Sequence, residues 1–209
     1  MIEKLEKINS LIYDVLYEEL KRKDVCILAI RVAKVLLNSL GYEVKPLPVK
    51  VGIYNKKWDQ FVRETGGQPK SEVDAMEWAN KGAWAVGIGM THEDNENNSR
   101  SFGVDKKNIG YNGHLVAIVD NEYLLDPTIG QASRPEYDIH LGPLITKINK
   151  KSFIHGTSNL IGMYGSSIEA NPVIINYFAI PGDKSYKQTP DWKSNRITTF
   201  VEKIMQKIS

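Results

Sequence analysis

Apolar residues recur at Ile2, Leu5, Ile8, Leu11, Ile12, Val15, Leu16 and Leu20, three and four positions apart. That spacing predicts an amphipathic helix over residues 2–22. Ile27, Leu28, Ile30, Val32, Val35, Leu36, Leu37 and Leu40 then cover almost the whole circumference of a second helix, 25–40. A helix apolar all round is a central, buried one. Asp24 is its expected N-cap, and Gly41 its stop. VKPLPVKVGIYN (44–55) predicts a strand, and Pro46 and Pro48 assign it to a sheet edge or a bulged start. Residues 56–82 read as helical, with a capping-box-like Ser71-Glu-Val-Asp74 inside them and Gly82 closing them. AWAVGIGM (83–90) reads as a strand. Residues 91–108 are polar and aperiodic, a long loop and a candidate lid. A stretch punctuated by Pro and Gly follows from 127 to 170. VIINYFAI (173–180) predicts a strand, and residues 196–208 a last amphipathic helix. Helices precede strands, which predicts an α+β fold, and no repeat or linker divides the chain, so residues 1–209 read as a single domain.

The segment GHLVAIVDNEYLLDPT (113–128) has a His and an Asp at opposite ends of an apolar run. Opposed residues of an antiparallel hairpin share a face. A two-residue turn at Asp120-Asn121 would put Asp126 on the face away from His114. A three-residue loop, Val119-Asp120-Asn121, pairs 118 with 122 and sets His114 directly opposite Asp126. Such loops end in a left-handed residue, and Asn121 suits that position. A His–Asp pair therefore requires an odd-length loop.

Composition narrows the setting. The chain is 42% hydrophobic and 25% charged, the balance of an ordinary globular protein. Twenty-seven basic residues against 25 acidic ones give a net charge of +2. No concentrated basic face argues for nucleic acid as partner. No apolar run is long enough to span a bilayer, and the charged N-terminus lacks the features of a signal peptide. A cytoplasmic location is expected. One cysteine excludes an intramolecular disulfide and a Cys-rich zinc site.

A His oriented by an Asp is half of a nucleophilic triad. The sole thiol, Cys26, falls near the second position of its predicted helix, where unpaired N–H groups favour a thiolate and can stabilise an oxyanion. The expected chemistry has His114 taking the thiol proton, Asp126 fixing the imidazole tautomer, and the sulfur attacking a carbonyl to give a thioester. Gln131 and Arg134, just past the Asp, are weaker candidates for lining a substrate cleft. His92, His140 and His155 lack metal-ligand spacing, so no metal site is expected. Trp58, Trp78, Trp84 and Trp192 read as core or cleft walls. Gly87-Ile88-Gly89 lacks the frame of a phosphate loop.

These residues resemble the transglutaminase-like superfamily. Cys26 opening a buried helix that runs into LeuGly and the strand VKPLPVKV is similar to that family's nucleophile helix, and GHLVAIV…LLDPT to its His strand and Asp-Pro-Thr strand. The order Cys, His, Asp also agrees. The resemblance implies a papain-like core, with the nucleophile helix packed on an antiparallel sheet and Cys26, His114 and Asp126 as the triad. It implies acyl transfer or amide hydrolysis on a peptide or small amide substrate, with no cofactor. Two other readings stand beside it. One is a catalytically silent papain-like interaction module. The other is an arylamine N-acetyltransferase-like acyltransferase, although the Arg-Gly-Gly lead-in to the Cys is absent.

Overall fold

The computed structural model describes residues 2–22, 24–89, 113–148, 160–168, 171–180 and 182–208. The expected loop over residues 91–108, with His92, and also His155 lie outside the described residues.

Helix α1 (Ile2–Leu20) buries the stripe Leu5, Ile8, Asn9, Ile12, Val15 and Leu16. Helix α2 (Cys26–Ser39) is buried at eight of its 14 residues. Asp24 does not cap it. Val25 is the N-cap and makes no side-chain cap hydrogen bond, while Asp24 faces Arg22 at 3.5 Å. Cys26 is therefore the first helical residue rather than the second. No carboxylate lies in that first turn to compete with a thiolate for its N–H groups.

Strand β1 (Val44–Asn55) takes the span the sequence predicts. It is not an edge strand: among the described residues it lies at the centre of a seven-stranded antiparallel sheet of order β5 (Leu144–Lys147), β4 (Tyr123–Asp126), β3 (His114–Val119), β1, β7 (Asn171–Ala179), β6 (Leu160–Ile168), with β2 (Ala85–Ile88) also on β1. The prolines are tolerated because pairing is local. Residues 44–49 pair with β3 (His114–Val119), whereas β7 (Asn171–Ala179) joins only from Val49 onward. Over Pro46 and Pro48 the β7 side thus has no ladder that needs an N–H, and the Pro48 carbonyl still accepts from Ile180 N at 2.9 Å. Further along, β2 (Ala85–Ile88) pairs with residues 51–54 on the edge that β3 leaves free.

The predicted 56–82 helix is two helices. α3 (Lys56–Thr65) ends at Gly66, whose φ of +74° is left-handed. α4 (Glu72–Asn80) starts where Ser71 Oγ accepts from Asp74 N, as the capping box predicts. The 127–170 stretch holds two short 3-10 helices, Ile129–Ala132 and Pro135–Tyr137, and strands β5 (Leu144–Lys147) and β6 (Leu160–Ile168). The chain closes with a short helix α5 (Pro190–Lys193) and α6 (Ile197–Ile208).

Two apolar clusters flank the sheet. Helices α1, α2 and α6 pack on Leu115, Ala117, Val119 and Leu125. Val116 and Leu124 face the opposite way, onto Val49, Val51, Ile53, Ile175 and Tyr177. β3 is covered on both faces, which is why its sequence is apolar at both parities. The architecture is α+β, a helical layer on an antiparallel sheet.

Candidate functional site

The hairpin of β3 and β4 (Tyr123–Asp126) has a three-residue loop, and Asn121 is left-handed with φ of 54°. The loop is Asp120-Asn121-Glu122 rather than Val119-Asp120-Asn121, because Val119 pairs with Tyr123. Asp120 is left-handed as well, and Glu122 N closes the turn on Val119 O at 3.0 Å. The slip is two residues, so parity survives. His114 lies diagonal to Asp126 instead of directly opposite it, and diagonal neighbours on one face remain within side-chain reach.

His114 Nε2 and Asp126 Oδ2 are 2.7 Å apart, and both side chains have no solvent exposure. Tyr177, from β7, donates its hydroxyl to the same Oδ2 at 2.9 Å. The other oxygen, Oδ1, accepts from Thr128 N at 3.0 Å. Asp126 therefore does two jobs: one oxygen starts the Asp-Pro turn and the other orients the histidine. Asn9 of α1 braces this corner, its Nδ2 donating to Leu144 O at 2.8 Å and more weakly to Asp126 O at 3.4 Å. Asn9 Oδ1 and Thr128 Oγ1 are buried and have no partner among the described residues.

Cys26 is half-buried at the head of α2, close enough to His114 to help hold a proton on its ring. Burial alone would push His114 down. The charge and hydrogen bond of Asp126, followed by Cys26, reverse this and raise it from 6.5 to about 10. Tyr177 is also raised, by burial first and then by Asp126, so it stays a hydroxyl donor.

The structure thus brings Cys26, His114 and Asp126 together and adds Gln131, whose Nε2 lies 2.8 Å from His114 Nδ1. Arg134 faces inward to the backbone: its Nη1 donates to the carbonyls of Ser133 and Gln131 at 2.7 and 3.2 Å, which fixes the loop that carries Gln131. His140 is exposed, 4.0 Å from Asp138. Trp58 and Trp78 are core residues in edge-to-face contact. Trp84 stacks on Tyr137 with centroids 3.8 Å apart, and Trp192 packs edge-on against Tyr186. Among the described residues no cluster of three His, Cys, Asp or Glu side chains could hold a metal, and no helix is long and apolar enough to cross a membrane.

Sequence reasoning missed Tyr177, Asn9 and Thr128. Asn9 had a signal: it is a polar residue on the buried stripe, four positions after Leu5. Tyr177 had none, because a tyrosine in an apolar strand is ordinary and only the sheet order carries it to Asp126. No family model, curated protein or solved structure matches the chain.

Proposed function

We propose that the protein is a thiol enzyme of transglutaminase-like, papain-like design that performs acyl transfer or amide hydrolysis on a peptide or small amide. The observation that carries this reading is the position of His114, held by Asp126 through one ring nitrogen at 2.7 Å and near enough to the half-buried Cys26 for the two to influence each other. In the first step the thiol proton passes to His114, whose hold on a proton is raised, and the sulfur bonds to the substrate carbonyl carbon. Uncapped N–H groups at the head of α2 face the charge that develops on the oxygen. The carbon–nitrogen bond then breaks, the departing amine takes the proton from His114, and a thioester remains. Water, or a second amine, gives its proton to His114, attacks the thioester and releases Cys26. Water gives hydrolysis, and an amine gives transfer.

The test is alkylation at neutral pH. Iodoacetamide labels Cys26 in the folded protein faster than a free thiol, and His114→Ala removes the excess. Labelling at the free-thiol rate in both proteins would overturn the reading and leave a catalytically silent domain.

A further inference from the structure

Asn9 is the one polar member of the stripe that α1 buries, and it is 1% exposed. Its amide is only half satisfied. Nδ2 donates to Leu144 O at 2.8 Å and, more weakly, to Asp126 O at 3.4 Å. Oδ1 has no partner among the described residues. A buried amide with an unmet oxygen costs stability that a leucine at the same place would not. Packing therefore gives no reason for an asparagine here. The reason lies with the two carbonyls that Nδ2 holds.

Those carbonyls belong to one pair. Asp126 and Leu144 stand opposite each other at the last register position of β4 and β5. Ile148 N donates to Glu122 O at 2.8 Å, and bonded pairs alternate along an antiparallel ladder. Counting on from 122 and 148, the bonded pairs are 124 with 146 and 126 with 144. The next would need Thr128 N, and that N–H has turned back to Asp126 Oδ1 at 3.0 Å. Pro127 and Pro143, just past the pair, carry no N–H at all. The ladder thus stops at Asp126, the residue whose Oδ2 meets His114 Nε2 at 2.7 Å. The end of a ladder opens more easily than its middle. Asn9 bridges the two carbonyls of this last pair from the helical layer.

We propose that Asn9 is a positioning residue, which clamps the Asp126–Leu144 pair and thereby fixes the direction in which Asp126 Oδ2 meets His114. It acts through the backbone of Asp126, whereas His114, Thr128 and Tyr177 hold the carboxylate. This deepens the acyl-transfer reading and rests on it for the consequence at Cys26, but not for the aim of Asp126. Helix α1 is by this contact a support for the base as well as a packing element.

The test compares Asn9→Leu, Asn9→Ala and, as a control on the same stripe, Leu5→Ala. The first readout is a nitrogen NMR titration of the His114 ring, in Cys26→Ala protein so that the thiol plays no part. The groups that then face the ring are Asp126 of β4, with Tyr177 of β7 behind it, and Gln131, and the variants alter none of them. Loss of the clamp weakens the Asp126–His114 bond. The pH at which the ring gives up its charge falls by about 0.7, a loss of about fivefold in its hold on the proton. Leu5→Ala opens a cavity in the same helix contact, lowers the urea midpoint and leaves the titration in place. An unmoved titration in the folded Asn9 variants overturns the proposal. So does an equal shift in Leu5→Ala, which would make the effect a general loosening of α1. The second readout, with Cys26 present, is its alkylation by iodoacetamide at neutral pH, which slows about fivefold in the Asn9 variants. The two failures are separable. If Cys26 reacts no faster than a free thiol while Asn9→Leu moves the His114 titration, the enzyme reading falls and the Asn9 inference stands. If Cys26 is reactive and the Asn9 variants move neither readout, the inference falls and the enzyme reading stands.

Discussion

Tyr177→Phe removes one hydroxyl from the buried corner around Asp126 and little else. The ring stays, so the cavity left is small. The pairing of Tyr177 with Val51 is made by backbone and is untouched. What is lost is a 2.9 Å hydrogen bond to a carboxylate without solvent exposure. A hydrogen bond to a charged group contributes about 1.5–3 kcal/mol, and no water reaches Oδ2 to replace the missing donor. At the sensitivity of a domain this size, that loss lowers Tm by roughly 3–12 °C. Urea unfolding followed by tryptophan fluorescence measures it, with an unchanged m-value showing that the native fold is retained. A double-mutant cycle with Asp126→Asn measures the contact, because Tyr177 donates directly to Asp126 Oδ2. A coupling of about 1–2 kcal/mol is expected. A loss under about 0.5 kcal/mol, or strict additivity with Asp126→Asn, would refute the claim that Tyr177 supports Asp126.

The pH dependence of stability follows from His114. Its folded value is raised from 6.5 to about 10, so its contribution is fully present below pH 6.5 and is lost as pH rises toward 10. Urea midpoints should fall across that window in the native protein, and His114→Gln should flatten the slope. Thr128→Val removes a buried hydroxyl that has no partner among the described residues and keeps the N–H that Asp126 uses, so stability should hold or rise by up to about 1 kcal/mol in the same assay. Asn55→Ala strips a side chain that accepts from Trp58 N and Trp84 N and donates to Gly82 O and Tyr137 O. Calorimetry should show a loss of about 3–5 kcal/mol, because a helix cap and buried carbonyls lose their partners together.

The helices were legible wherever one face alone is buried. The stripe of α1 and the Ser71 cap of α4 read correctly because the signals are local. Asp24 misled because a good capping side chain does not cap when it turns to Arg22. Pro46 and Pro48 misled because edge character is a property of each half of β1 and not of the strand as a whole. The parity of His114 and Asp126 was readable from period two, and it survived a two-residue slip in the loop. Which residue supported Asp126 was not readable. Tyr177 reaches it only through the strand order β4-β3-β1-β7, a long-range arrangement that no window of sequence contains.

The bonds at Asp126 also set a timetable. Its partners come from position 9 near the start of the chain, from 114 and 128 around it, and from 177 near the end. A ribosome makes Cys26 early, and domains fold as units once their chain has emerged. Until Tyr177 is available the carboxylate lacks one of its three partners and β1 lacks its β7 neighbour, so the corner that orients His114 closes only after most of these residues have been made.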